Sequence, residues 1–155
     1  MTQPQQLARV LESPTLTDKV LTAERMMREM PQVQLRTNHY FADGIYAREV
    51  FRPAGTVIVG KVHRKEHLYI VTQGRVRVVM DDDMKEYAAP AVIVSKPGTK
   101  RAVYAIEDST CMTVHRSKKR NLDKLERELV EEDKLALFDS GNNIRALPSQ
   151  REEVA

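Results

Sequence analysis

The sequence has one cysteine, no tryptophan and few aromatic residues, which make up 5% of its 155 residues. Because Cys111 has no second cysteine to pair with, no disulfide can form within the chain, and a disulfide-stapled extracellular domain is excluded. The sequence also lacks a run of eighteen apolar residues and an N-terminal pattern of charged then apolar residues. These absences predict a soluble cytoplasmic protein with no membrane partner.

Neither sign of charge dominates, since 25 basic and 22 acidic residues leave a formal net charge of +3. Nucleic-acid binding needs a concentrated basic face, so nucleic acid is not expected as a partner. The hydrophobic content of 41% is typical of a globular protein, and the length suits one domain with a fair core. We divide the chain into an N-terminal arm with a short helix (1–38), a β-barrel (39–117) and a C-terminal helix with a flexible tail (118–155).

Strand-forming residues are concentrated between residues 55 and 105, where β-branched and aromatic side chains occur in short runs. Turn residues separate these runs, among them Gly55, Gly74 and the pair Pro97-Gly98. The resulting spacing of about ten residues per strand is that of a β-sandwich or barrel.

Side-chain alternation predicts which strand residues face the core. In the run RVRVV, Val76 and Val78 are expected to face inward and the two arginines to face solvent. On two other strands the pattern does not choose a face. On the strand near 67–71, one candidate inward face carries His67, Tyr69 and Val71. On the strand near 110–116, one candidate inward face carries Cys111, Thr113 and His115.

Helical spacing of apolar residues predicts one helix near 17–30, which has a methionine-rich face, and another near 122–137. Residues 141–155 have little periodicity and are expected to form an arm or to be loose in solution.

The spacing of residues 55–74 resembles the first motif of the cupins. In that motif a glycine precedes a His-x-His pair, a glutamate follows, and a second glycine lies seven residues after the glutamate. With Gly74 as the second glycine, the glutamate position falls on His67, the second histidine on His63 and the first on Lys61.

The run KPGTKR, residues 96–101, resembles the second cupin motif, a Pro-x-Gly turn with a histidine three residues after the glycine. Arg101 occupies that histidine position. The resemblance covers about residues 44–116 and implies an all-β core, an antiparallel double-sheet jelly-roll barrel with a helix at each end.

A metal site is one hypothesis for the barrel, because neutral imidazoles suit transition metals and a site generally needs three protein ligands. If iron, zinc, nickel or manganese binds, the ligands are expected to be His63, His67 and His115, the first two from motif positions. Positive charge at both vacated histidine positions argues against a metal, and no cofactor is the leading expectation.

An anion site is the competing hypothesis, because Lys61 and Arg101 would offer two cations to a carboxylate or phosphate. Tyr69, on the same strand face as His67, is included as a ligand contact. The predicted ligand-binding residues are Lys61, Tyr69 and Arg101.

The whole pattern is also similar to small cupin-like proteins encoded by tailed bacteriophages, which implies a phage origin but no mechanism. Three functions stay open. The favoured one is a non-catalytic structural or interaction protein that forms homo-oligomers, contacts other phage structural proteins and is found in the host cytoplasm or the virion. The others are a metal-dependent oxygenase or isomerase, and a small-anion sensor.

Overall fold

The computed structural model describes residues 2–11, 16–80 and 83–145. Within these residues no helix is both long and apolar enough to span a membrane. The helices are α1 (Gln3–Leu11), α2 (Leu16–Arg28) and α3 (Leu122–Leu129). The strands are β1 (Thr37–Ala42), β2 (Ile45–Arg52), β3 (Val57–Val59), β4 (His67–Gln73), β5 (Arg75–Met80), β6 (Asp83–Ala88), β7 (Ala91–Ser95), β8 (Ala102–Ala105) and β9 (Ser109–Arg116).

The strands form two antiparallel sheets that pack face to face. Sheet A has the order β1-β2-β9-β4-β7, and sheet B has the order β3-β8-β5-β6. The apolar core between them is a cluster of buried side chains: Tyr69, Val71, Val76, Val78, Ile93, Val103 and Cys111. The predicted double-sheet jelly-roll barrel, with helices before and after it, is confirmed.

The faces that alternation left open are decided by the packing of the two sheets. Val76 and Val78 are buried as predicted, and Val71 and Tyr69 are buried with them. His115 is also buried, and Cys111 and Thr113 line the interior with it. The inward faces are therefore the ones that carry the histidines.

The N-terminal arm contains a helix that the sequence pattern did not reveal, α1, which pairs with α2. Both helices cover the outer face of sheet B, where Leu7, Ala23 and Met27 join Val79 and Ala102 in one buried cluster. Alternate residues of β5 and β8 supply the apolar outer face on which these helices pack.

The predicted C-terminal helix over 122–137 is too long, since α3 ends at Leu129 and Val130 is extended. Val130 forms a β-bridge with His63, and the Glu131 amide donates to the Val62 carbonyl at 2.9 Å. These bonds to the barrel replace the helical ones.

The tail predicted to be flexible is folded back on the barrel as far as residue 145. The Asn142 amide nitrogen donates to Thr37 Oγ1 at 2.8 Å, and the Gln34 amide donates to the Asn142 carbonyl at 3.0 Å. Residues 146–155 lie outside the described part of the chain.

Candidate functional site

The interior of sheet A carries polar side chains in layers, because cross-strand partners on β2, β9 and β4 point the same way. Tyr46 lies opposite His115, which neighbours His67, and in the next layer Thr113 lies opposite both Arg48 and Tyr69. Apart from His67, these side chains line a cavity of about 160 Å³, which α3 and the following segment cover at the histidine end. We call this space the barrel cavity.

Three of the four histidines form one cluster, which we call the histidine cluster: His63, His67 and His115. The ring centroids of His63 and His67 are 4.2 Å apart, those of His67 and His115 are 4.6 Å apart, and those of His63 and His115 are 5.5 Å apart. The structure thus brings together the trio that the sequence singled out.

Burial favours the neutral form of each ring in the histidine cluster. Burial, reinforced by His67 and Arg101, lowers the pKa of His63 to about 2, and burial with the same neighbours lowers the pKa of His115 to about 3. Burial also lowers the pKa of His67. Neutral imidazoles can both donate and accept hydrogen bonds.

Arg101 lies between the histidine cluster and Tyr69. Its Nη1 donates to Ser95 Oγ at 2.5 Å, its Nη2 lies 3.4 Å from His67 Nε2, and its guanidinium carbon lies 3.9 Å from the centre of the Tyr69 ring. His67 Nδ1 lies 3.1 Å from the Lys65 carbonyl. The tautomer with the proton on Nδ1 satisfies both contacts, because Nε2 then accepts from Arg101. Burial lowers the pKa of Arg101 to about 10, so it stays cationic at neutral pH.

These residues do not fit a transition-metal centre as they are arranged. Within residues 2–11, 16–80 and 83–145, no group of three or more His, Cys, Asp or Glu side chains is placed to share a metal ion. The Nε2 lone pair of His67 faces the Arg101 guanidinium, and a metal would have to displace that buried cation.

Arg52, which the sequence reasoning missed, is the most unusual side chain of the cavity. Only 7% of it is exposed, and two of its nitrogens, Nε and Nη1, have no hydrogen-bond partner in the part of the chain that the structure describes. The Tyr69 hydroxyl also has none, and the Arg52 guanidinium carbon lies 5.8 Å from the centre of the Tyr69 ring. Burial raises the pKa of Tyr69, and the neighbouring Cys111 thiol adds to the effect.

Neither buried arginine has a carboxylate partner among residues 2–11, 16–80 and 83–145. The ion pairs found in the described part of the chain involve other cations, and none includes Arg52 or Arg101. The two guanidiniums approach the same tyrosine ring, and Arg52 contributes to the lowered pKa of Arg101. A sequence signal was present, because Arg52 shares the inward face of β2 with Tyr46 and Val50 by alternation.

The remaining candidates occupy the edge of the site. Lys61 lines the cavity but forms an ion pair with Glu126 of α3. The fourth histidine, His39, has its Nδ1 2.7 Å from the Tyr46 hydroxyl. Arg48 donates from Nε to the same hydroxyl at 3.2 Å and from Nη2 to the Ser140 carbonyl at 2.8 Å.

No protein-family model and no curated protein matches this chain. Solved structures do. KdgF from Halomonas sp. has 18% identity and a TM-score of 0.50 over 59% of this chain and 86% of that one. A salicylate 1,2-dioxygenase from Pseudoaminobacter salicylatoxidans has 13% identity and a TM-score of 0.52 over 73% of this chain and 34% of that one. A cupin superfamily protein from Desulfitobacterium hafniense has 13% identity and a TM-score of 0.48 over 60% of this chain and 85% of that one. At these identities the likeness concerns the fold alone. The protein therefore has the cupin fold, and its function must be argued from the contents of its barrel.

Proposed function

We propose that this protein is a non-catalytic cupin-fold protein that binds a small anion in the barrel cavity. The observation that carries the proposal is the buried Arg52 guanidinium with two unpartnered nitrogens, beside the unpartnered Tyr69 hydroxyl and the cationic Arg101. The proposal keeps two of the three ligand residues expected from sequence, Tyr69 and Arg101. It replaces Lys61, which is paired, with Arg52.

The physical reason is the cost of burying cations without partners. A buried donor without an acceptor costs about 1–3 kcal/mol, and more when the donor is charged. Two such cations in one cavity also repel each other, since no carboxylate among the described residues pairs with either. One anion between them would satisfy donors on both sides and offset the repulsion.

Calorimetric titration of the purified protein with sodium acetate and sodium sulfate, at low ionic strength, tests this proposal. We expect binding of one anion per chain, and loss of that binding in Arg52→Met. Methionine has a similar length but no donor.

The matched control is Arg75→Met, because Arg75 is 48% exposed on the outside of sheet B and pairs with Glu86. It should bind as the unchanged protein does. Binding that survives in Arg52→Met would show that the anion lies elsewhere.

A second candidate function, assembly with a second copy of the chain, is favoured by the outer face of sheet A. Two rows of side chains cross this face, and the pairing registers place them side by side. We call these rows the outer apolar face: Tyr40, Ala47, Val114, Leu68 and Val94 in the first row, and Met112, Ile70 and Val92 in the second. Val92 is 62% exposed and Val94 is 54% exposed.

A second copy is the occupant that fits this face. The chain's own helices α1 and α2 already pack on sheet B, and the last ten residues contain only Leu147 and Val154 as large apolar side chains. Five strands span a width of about 19 Å, which is enough for the apolar core of a two-fold interface. Polar residues around that core would supply the rest of the roughly 800 Å² of surface that a stable dimer buries on each partner.

Light scattering of Val94→Lys tests the assembly. We expect the unchanged protein to be a dimer at micromolar concentration and the variant to be a monomer, because the lysine would bury a charge in the interface. Met84→Lys is the control, since Met84 is exposed on sheet B, away from this face. A monomeric unchanged protein would contradict the assembly. Such a dimer suits the predicted structural role in a phage particle, for which detection of the protein in purified virions is the test.

A further inference from the structure

The barrel cavity has a second polar end that the anion does not use. His63 and His115 both line the cavity, and neither imidazole makes a hydrogen bond with any side chain or backbone group of residues 2–11, 16–80 and 83–145. His67 differs from them, because it is engaged by Lys65 and Arg101. Two neutral rings with free hydrogen-bonding capacity therefore lie at the end that α3 closes.

The two ends are separated along the strands of sheet A. On β2, Arg52 lies six residues from Tyr46, and on β9 His115 lies opposite Tyr46 while Ser109 lies opposite Arg52. The Arg52 guanidinium carbon lies 5.8 Å from the centre of the Tyr69 ring, and Arg101 contacts both that ring and His67. The cavity lining also includes apolar side chains, among them Val50, Val59 and Val103.

The size of the cavity limits the ligand. An enclosed space of about 150 Å³ holds a molecule the size of benzene, and this cavity, which is partly open, measures about 160 Å³. An inorganic oxyanion would leave the apolar wall uncovered and the histidine end empty. A short organic acid would contact both ends and the wall between them.

Resting on the proposed anion binding, we infer that the cavity selects small organic carboxylates that carry a second polar group, a hydroxyl or carbonyl, at the far end. The carboxylate lies against Arg52, Arg101 and the Tyr69 hydroxyl. The second polar group exchanges hydrogen bonds with the neutral imidazoles of His63 and His115, each able to act as donor or acceptor.

Matched pairs of acids test the inference by calorimetry: butanoate against 4-hydroxybutanoate, and propanoate against 3-hydroxypropanoate, with sodium sulfate as the inorganic reference. One added hydrogen bond is worth about 0.5–1.5 kcal/mol, so each hydroxy acid should bind about two- to tenfold more tightly than its alkyl partner. The variant His63→Phe combined with His115→Phe should bind both acids of a pair equally. His39→Phe is the control, because His39 lies outside the cavity wall, and it should keep the preference.

Each outcome separates the two proposals. If all the carboxylates bind equally, or if sulfate binds more tightly than any of them, the inference is overturned while anion binding stands. If no anion binds, both fail. If the double variant does not fold, as judged by circular dichroism, the single variants His63→Gln and His115→Gln replace it. In addition to these two, the single variants His63→Phe and His115→Phe each remove the hydrogen-bonding group at one position, and a preference unchanged in both phenylalanine variants would overturn the inference.

Discussion

Removing the guanidinium of Arg52 should stabilise the protein in the absence of anions, which is the opposite of what most core substitutions do. Arg52 is 7% exposed and leaves two nitrogens without a partner. At about 1–3 kcal/mol for an unsatisfied buried donor, and with repulsion from Arg101 removed as well, Arg52→Met should raise the free energy of unfolding by about 2 kcal/mol. For a chain of this length that corresponds to a rise in melting temperature of about 4–8 °C.

A saturating anion should reverse the order of stability. At a concentration about 100 times the dissociation constant, a ligand that binds only the folded state stabilises it by about 2.7 kcal/mol. The unchanged protein should gain this amount from sodium acetate, and Arg52→Met should gain nothing. The unchanged protein would then be the more stable of the two.

Urea unfolding followed by far-ultraviolet circular dichroism measures both free energies, in a zwitterionic buffer with minimal chloride and again with acetate. Arg75→Met, which removes one exposed ion pair, should change stability by less than about 1 kcal/mol in either buffer. If Arg52→Met is less stable than the unchanged protein in both buffers, the Arg52 guanidinium stabilises the barrel without a bound anion, and the proposed anion site is refuted.

Three further outcomes are expected. Gly74→Ala should lower the free energy of unfolding by about 3 kcal/mol, because Gly74 has φ +81° and an added Cβ would lie 2.3 Å from the Asp108 carbonyl oxygen. The control Gly44→Ala, at φ +71° with open space around the added Cβ, should lower it by about 1 kcal/mol. Equal losses of the two variants in urea unfolding would contradict this. The pKa values of His63 and His115, about 2 and about 3, lie below the value near 6.5 of a histidine in the unfolded chain. Below about pH 6.5 the unfolded chain therefore binds more protons than the folded one. The free energy of unfolding should fall as the pH drops below about 6.5, by up to about 1.4 kcal/mol per pH unit for each histidine. Replacing both histidines with phenylalanine should flatten that slope between pH 7 and 5, and an unchanged slope would argue against neutral, buried rings. Elemental analysis should find no stoichiometric iron, zinc, nickel or manganese, and one metal per chain that disappears in His63→Ala would refute our interpretation of the cluster.

The fold was predictable because its signals are local. Turn residues at regular spacing, such as Gly74, mark strand ends by their backbone requirements, and the alternation of Val76 and Val78 with arginines marks an inward face. The resemblance to the first cupin motif grouped His63 and His67. Alternation on β2 would also have placed Arg52 inward, had Tyr46 and Val50 been taken as the core side of that strand.

The tertiary structure alone decided how the charges are used. Lys61 and Glu126 are 65 residues apart, and no local pattern pairs them. The length of α3 depended on bonds to the distant Val62 and His63, which ended the helix earlier than its own sequence indicates. The sequence by itself determined a core of short strands at barrel spacing, because strand periodicity and turn chemistry act between neighbours along the chain. The packing of the two sheets decided that the histidine-bearing faces of β4 and β9 point inward. Which cations are paired and which are left to a ligand depended on contacts that exist only once the barrel has closed.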